Sequence, residues 1–215
     1  DSASGMTSDP VPPSFNMASY VLARASDDPA KIALAVLGDD TDERWTYAQI
    51  ENAIRGAATG LLTTGLASGD RVLLRLGNTP DFAIAFLACI AVDLIPVPTS
   101  SQLSVDEITK MTIDLAPKAI IAAADIALPD CTAPVIDTAT LVSFYGMPPA
   151  DYTYGDPCLV VVIIFTSVSC GTPRGVVHAH RAIWARRMMH DGFYFLIRSF
   201  RFVFFFAVKW TYILG

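Results

Sequence analysis

The stretch CLVVVIIFTSVSCGTPRG, residues 158–175, joins a strongly apolar run to a small polar loop. Its first part is mostly β-branched or aromatic, which predicts a buried β-strand over Leu159–Phe165. The second part contains hydroxyl side chains, two glycines and one arginine, the groups with which a loop holds a phosphate. The same composition fits a surface turn of a β-hairpin, so the residues alone leave both interpretations open.

The candidate phosphate ligands in this loop contribute different chemical groups. Gly171 and Gly175 allow tight turns that present backbone N–H groups, and Arg174 supplies a permanent charge that pairs with phosphate oxygens. Val168 lies where a backbone that closes on an anion would favour glycine. The loop matches neither of the nucleotide-binding patterns GxxxxGK[ST] and GxGxxG. The hydroxyl donors are Thr166, Ser167, Ser169 and Thr172.

Outward from the loop, helix-like and strand-like patterns alternate, which predicts an α/β fold with a mixed or parallel sheet flanked by helices. Pro96 and Pro98 are expected to break the chain, and 129–157 is expected to form a connecting loop. Thr46 and the pair Ser104 and Glu107 have the spacing of helix N-caps. The predicted strands are 31–37, 70–76, 118–122 and 159–165, and the predicted helices are 17–25, 46–65, 81–92 and 104–115.

The composition excludes several classes of protein. Of the 215 residues, 53% are hydrophobic and 17% are charged, which is typical of a globular domain and not of a disordered chain. The net charge of −6 argues against a broad surface for nucleic acids. A bound phosphate would therefore be held locally, by a loop.

Cysteine usage and apolar runs bear on the compartment. No cysteines have the spacing of a metal site, which favours buried free thiols in a reducing cytoplasm. No signal peptide is visible, and Arg198 and Arg201 interrupt the apolar run Phe193–Val208, so no membrane span is expected. We expect a cytoplasmic protein without metal ligands of its own, with a homodimer as one form of association. The cysteines are Cys89, Cys131, Cys158 and Cys170.

The loop resembles the signature [FY]-T-S-G-[ST]-[ST]-G-x-P-[KR]-G of the adenylate-forming superfamily of acyl-CoA synthetases, luciferases and peptide-synthetase adenylation domains. Pro13–Leu22 is similar to the start of members that act on benzoate-like and fatty acids. Other segments resemble this family in the same order, namely Trp45–Tyr47, Gly69–Ile108 and Gly175–Ile183. The matching signature residues are Phe165, Thr166, Ser167, Gly171, Pro173, Arg174 and Gly175.

The resemblance implies an ATP-dependent carboxylic acid–CoA ligase. Such an enzyme joins a carboxylate to the α-phosphate of ATP with Mg²⁺, releases pyrophosphate and passes the acyl group to coenzyme A. Trp210 resembles an aromatic residue near the acyl pocket, and a core tryptophan is the alternative. The resemblance assigns no catalytic residue here. It implies that Gly171 and Gly175 shape the loop without taking part in the chemistry, and Cys170 completes the predicted cofactor-binding loop. The residues that it places around the β- and γ-phosphates are Thr166, Ser167, Ser169, Thr172 and Arg174.

Departures from the family pattern define the alternatives. Val168 replaces a glycine, Cys170 replaces a hydroxyl residue, and Asp93 replaces a glycine after the third helix. The polar composition of the first residues predicts a flexible tail over 1–15. Over 16–215 the resemblance implies a partial N-terminal domain without the family's ribose-binding and lysine segments. We therefore expect no turnover from these residues alone. The alternative functions are a non-catalytic nucleotide- or acyl-binding module and an adenylation domain that loads a carrier protein.

Overall fold

The computed structural model describes residues 10–37, 42–77, 79–166 and 174–179. Over these residues the predicted α/β fold is confirmed, because helices flank a four-stranded parallel sheet, with two antiparallel strand pairs in addition. No helix among the described residues has the length and apolarity needed to cross a membrane. The helices are α1 Met17–Leu22, α2 Arg24–Asp27, α3 Tyr47–Thr63, α4 Pro80–Ala91, α5 Val105–Leu115 and α6 Thr138–Phe144. The strands are β1 Ile32–Leu37, β2 Asp42–Thr46, β3 Arg71–Arg75, β4 Ile95–Pro98, β5 Ala119–Ala122, β6 Val135–Asp137, β7 Val160–Thr166 and β8 Arg174–Ala179.

The parallel sheet has the strand order β4-β3-β5-β6, and its inner strand β3 is apolar because both of its faces are covered. Val72 and Leu74 belong to a first core cluster, which includes the buried faces of α3 and α4. Leu73 belongs to a second core cluster, which includes the buried face of α5. Successive side chains of a strand point to opposite faces, so this short run supplies both clusters, and all three side chains are fully buried.

Side-chain caps fix the beginnings of the two helices for which the sequence predicted them. Gln49 N donates to Thr46 Oγ1 at 3.2 Å, and Thr46 N donates to Gln49 Oε1 at 2.8 Å, which completes a capping box on α3. Ser104 and Glu107 form the same arrangement on α5. Hydrogen bonds from the backbone and then the side chain of Ser104 lower the pKa of the Glu107 carboxyl.

The prediction of a connecting loop over 129–157 is wrong for its central part, which forms β6 and α6. Thr140 N donates to Asp137 Oδ1 at 2.7 Å and so caps α6, and Leu141 of this helix is fully buried. β6 pairs in parallel with β5. Its three residues are too few to show a period along the sequence, whereas a neighbouring strand stabilises them in the fold.

The predicted break at Pro96 and Pro98 is also wrong, since both residues lie within β4. Among the described strands, β4 is an outer strand of the sheet and is hydrogen-bonded to β3. Proline is tolerated at such an edge because the strand needs fewer of its N–H groups. The sequence analysis also missed β2, which pairs with β1 in antiparallel register.

The N-terminal segment is tied to a loop far along the chain. Phe15, the last residue of the predicted tail, is buried and forms an isolated bridge with Gly155. The side-chain oxygen Oδ1 of Asn16 caps α1. Its Nδ2 donates to Ile90 O at 3.0 Å and to Thr153 O at 2.8 Å. The buried side-chain amide of Asn16 therefore links α1 to the end of α4 and to the loop around Thr153, here called the 153 loop.

The expectation of buried free thiols holds for one cysteine and fails for another. Cys89 is buried within α4, where burial raises the pKa of its thiol. Cys158 is exposed, because it lies in the turn that precedes β7 and not in the strand itself. Burial therefore follows the position of each cysteine in the fold more closely than the apolarity of its neighbours.

Candidate functional site

The predicted phosphate loop lies between two paired strands. β7 and β8 are antiparallel, and their register places Phe165 opposite Gly175 and Thr166 opposite Arg174. The two ends of the loop are therefore neighbours, and the strand predicted over Leu159–Phe165 is confirmed with a shift of one residue at each end. The alternative of a β-hairpin and the hypothesis of a phosphate loop are thus compatible.

Most of the predicted site residues lie outside the described part of the chain. The backbone positions of Thr166, Arg174 and Gly175 are described, at the two ends of the loop. Val168, the departure from the family signature, and Trp210, the residue proposed for the acyl pocket, lie outside the described residues. So do Ser167, Ser169, Cys170, Gly171 and Thr172.

One strand of this hairpin is anchored in the core. Val161 and Val162 of β7 are 2% and 3% exposed and belong to the first cluster. Ile163 and Phe165 pack against the second cluster. β7, the strand that leads into the loop, thus packs against both core clusters.

Gly175 permits a close cross-strand contact at the base of the loop. A Cβ atom at this position would lie 3.2 Å from Cγ2 of Ile163 and 3.4 Å from Cζ of Phe165. The Phe165 ring therefore covers the glycine across the strand pair, an arrangement that stabilises glycine in a sheet. That Gly175 shapes the loop stays a prediction.

An open depression of about 510 Å³ lies at the amino ends of β3, β5 and β6. Asp70 and Lys118, which directly precede β3 and β5, are among its lining residues. Gly175, the predicted site residue whose surroundings are described, does not line it. Among the described residues, no three His, Cys, Asp or Glu side chains are grouped so that they could hold a metal ion.

The sequence analysis missed a buried arginine at the end of β3. Arg75 is 0% exposed, and burial lowers the pKa of its guanidinium. Nε donates to Ala127 O at 2.9 Å, and Nη2 donates to Leu103 O at 3.1 Å. Nη1 donates to Ser100 O and, at 3.3 Å, to Thr99 Oγ1. Its signal in the sequence is weak: Arg75 stands between Leu74 and Leu76 in DRVLLRL, a segment that also contains Asp70 and Arg71.

Comparisons with known sequences agree on one family for this chain. The AMP-binding enzyme family matches residues 21–212. A long-chain-fatty-acid–CoA ligase of Mycobacterium tuberculosis is 29% identical over 170 residues, which are 69% of this chain and 32% of that protein. The 4-coumarate–CoA ligase 3 of Oryza sativa subsp. japonica is 27% identical, over 79% of this chain and 33% of the ligase. A hybrid PKS-NRPS synthetase of an Acremonium species is 28% identical, over 74% of this chain and 4% of the synthetase.

One solved structure shares the fold of most of this chain. The Mycobacterium tuberculosis fatty acyl CoA synthetase superposes with a TM-score of 0.67 and 27% identity, over 78% of this chain and 35% of that structure. The present chain thus spans about a third of the length of the curated ligases that it matches. The resemblance noted from the loop extends over most of the sequence.

Proposed function

This chain belongs to the AMP-binding enzyme family, and we propose that it supplies the phosphate loop of an ATP-dependent carboxylic acid–CoA ligase. The observation that carries the proposal is the strand pair β7–β8, which brings Thr166 and Arg174 together at the ends of residues 167–173. In this proposal residues 16–215 form part of the large N-terminal domain of such an enzyme. The free thiols among the described residues accord with a place in the cytoplasm.

The first reaction step demands charge neutralisation. A carboxylate oxygen attacks the α-phosphate of ATP, the bond to the bridging oxygen breaks, and pyrophosphate leaves as an anion. Fixed donors directed at the leaving group stabilise the charge that develops on it. Arg174 would provide the permanent charge, and the hydroxyl residues and glycine N–H groups of 167–173 would provide the remaining donors.

Mg²⁺ would accompany the polyphosphate, since this ion is commonly bound by substrate phosphates and one or two carboxylates. Coenzyme A would accept the acyl group in the second step, when its thiol displaces AMP from the acyl-adenylate.

A fatty or aromatic acid is the substrate class that we propose. A fatty-acid ligase and a 4-coumarate ligase are both among the relatives of this chain. The similarity of Pro13–Leu22 to benzoate- and fatty-acid-activating members points to the same classes. A panel of acids in each class distinguishes them by the rate of adenylate formation.

Carboxylate-dependent exchange between ATP and radiolabelled pyrophosphate tests the proposal in the full-length protein. Arg174→Ala is expected to lower the exchange rate about a hundredfold, because a fixed donor to the leaving anion is lost. Lys110→Ala is the matched control, since it removes an exposed cation from α5 without altering the loop. Equal exchange rates in the two variants would contradict the assignment of Arg174.

Loading of a carrier protein is a second candidate function, favoured by the hybrid PKS-NRPS relative. Both enzymes would catalyse the exchange reaction, but only the ligase forms a thioester with free coenzyme A. Mass spectrometry of the thioester product separates these two functions. Binding of ATP without any exchange would instead support a non-catalytic nucleotide-binding module.

A further inference from the structure

The parallel sheet has a point at which the direction of strand addition reverses. The chain passes from β3 to β4 on one side and then crosses to β5 on the other side of β3. In open α/β sheets, ligands bind in the crevice that such a reversal leaves beyond the carboxyl ends of the strands. Arg75 is the last residue of β3 and lies opposite Ala122, the last residue of β5.

Arg75 itself bridges the two sides of this crevice. Its hydrogen bonds reach Ser100 O and Leu103 O in the loop after β4, and Ala127 O in the loop after β5. Thr99 Oγ1 accepts from Nη1 and donates to Leu74 O at 2.9 Å, so the first loop is also bonded back to β3. One side chain thus joins the loop after β4 to the loop after β5.

The partners of this guanidinium are all neutral. Within the described part of the chain, the ion pairs involve Arg55 with Glu51 and Asp151, and none involves Arg75. A buried charge is costly unless hydrogen bonds satisfy it, and carbonyl oxygens supply that satisfaction here. These hydrogen bonds stabilise the loop conformations in which the carbonyl oxygens point toward Arg75, more than they stabilise the fold in general.

The loop after β4 connects this arrangement to the hairpin. Leu103, whose carbonyl accepts from Arg75, packs with its side chain against the second cluster. Ile163 and Phe165 of β7 pack against the same cluster. Phe165 is followed directly by Thr166, at the beginning of the proposed phosphate loop.

We propose that Arg75 is a positioning residue, which occupies the crevice of the sheet with its own guanidinium and fixes the 99–103 loop against the hairpin β7–β8. The nucleotide-binding part of this inference rests on the proposed function. The positional part rests on the hydrogen bonds and the shared cluster alone. The two parts are therefore tested by separate measurements.

Hydrogen–deuterium exchange of the Arg75→Met variant tests the positional part. The methionine side chain is apolar and comparable in length, but it has no hydrogen-bond donor. The loop carbonyls therefore lose their partner. Amides of 99–103 and of β7 and β8 are expected to exchange about tenfold faster than in the parent protein, with a smaller change in α3.

Leu141→Ala is the matched control, because Leu141 is fully buried in the first cluster and its truncation destabilises the fold without touching Arg75. Faster exchange concentrated in the 99–103 loop and the hairpin in Arg75→Met, with no such concentration in Leu141→Ala, supports the inference. The same distribution of exchange in both variants would overturn it, since Arg75 would then act only on overall stability.

Chemical rescue provides an independent measurement. Ethylguanidinium matches the part of the side chain that Arg75→Ala removes, and it is expected to restore slow exchange in the hairpin. Ethylammonium has the same charge but lacks the planar set of donors, and it should restore nothing. Equal effects of the two cations would overturn the assignment of the guanidinium.

ATP affinity tests the part that depends on function. Arg75→Met is expected to weaken ATP binding about tenfold, while Leu141→Ala binds ATP as the parent does under conditions where both are folded. If the parent protein binds no ATP, the proposed function fails, and the exchange comparison still decides the role of Arg75. Unchanged ATP affinity in Arg75→Met would overturn the link to the nucleotide.

Discussion

The parallel sheet and the hairpin β7–β8 contain similar runs of branched aliphatic residues but bury them differently. Val72 to Leu74 of β3 are 0% exposed, whereas Val176 and Val177 of β8 are 41% and 57% exposed. Helices α3 and α4 cover one face of β3, and α5 covers the other. In the hairpin, β7 is anchored in the core while β8 pairs with β7 and presents adjacent valines to solvent. Apolar composition thus predicts a strand, and the elements packed around it decide its contribution to stability.

The largest effect expected from this comparison comes from truncation inside the sheet. Leu74→Ala should lower the free energy of unfolding by about 3 kcal/mol, because it opens a cavity between well-packed neighbours. Val177→Ala, the matched change in the hairpin, should alter it by less than about 0.5 kcal/mol. Urea unfolding measures both values, and similar losses in the two variants would contradict the difference in burial.

A second change tests the packing of α6, which lies in the segment that the sequence analysis predicted to be a connecting loop. A Cβ atom at Gly56 of α3 would lie 2.5 Å from Tyr145 O, just after α6. Gly56→Ala should therefore displace α6 and destabilise the protein by about 2 kcal/mol. Gly146→Ala is the control, because a Cβ atom there meets nothing within 4 Å. Thermal unfolding compares the two variants, and an unchanged midpoint in Gly56→Ala would show that α6 is not packed this closely.

A third change sharpens the comparison from the side of the hairpin. The family signature has glycine where this chain has Val168, and a β-branched residue strongly disfavours the left-handed backbone that glycine adopts. Val168→Gly is expected to strengthen ATP binding about tenfold, which corresponds to about 1.4 kcal/mol. Calorimetric titration with ATP measures the change. Equal affinities in the parent and the variant would refute the idea that this valine weakens the loop, and Val177→Gly controls for a general loosening of the hairpin.

The smallest effect concerns a departure from the family pattern inside the sheet region. Asp93 has φ 59°, in the left-handed region, where glycine is less strained. Its carboxylate accepts a hydrogen bond from Ser68 Oγ, which offsets part of the strain. Asp93→Gly should stabilise the fold by about 0.5 kcal/mol, whereas Asp93→Ala, which retains a Cβ and loses the acceptor, should destabilise it. Chemical unfolding of both variants checks the two signs.

Local signals in the sequence predicted the parts of the fold that depend on near neighbours. The pair Ser104 and Glu107 specified the start of α5 because both partners lie within one helical turn. The apolar run of β3 specified a buried strand in the same way. β6 was missed because its stability comes from pairing with β5, which the three residues of the strand do not encode by themselves.

The sequence predicted the candidate loop as one continuous stretch after a buried strand, and the chemistry assigned to it stays a prediction. The strand β8, which pairs Arg174 with Thr166, was not predicted as a strand; a β-hairpin was only an open alternative. Arg75 was not predictable, because its acceptors are backbone carbonyls of residues 25 to 52 positions away. Any residue can present a carbonyl oxygen, so no sequence pattern marks such a partner.

The contact between Asn16 and the 153 loop has a consequence for biosynthesis. The Nδ2 group of Asn16 and its acceptor Thr153 O are 137 residues apart, and Phe15 forms its bridge with Gly155 over a similar interval. At about 5–20 residues per second, a ribosome needs roughly 7–27 s to synthesise a stretch of 137 residues. During translation α1 must therefore wait for that time before this docking site is complete, and Phe15 lacks its strand partner in that interval.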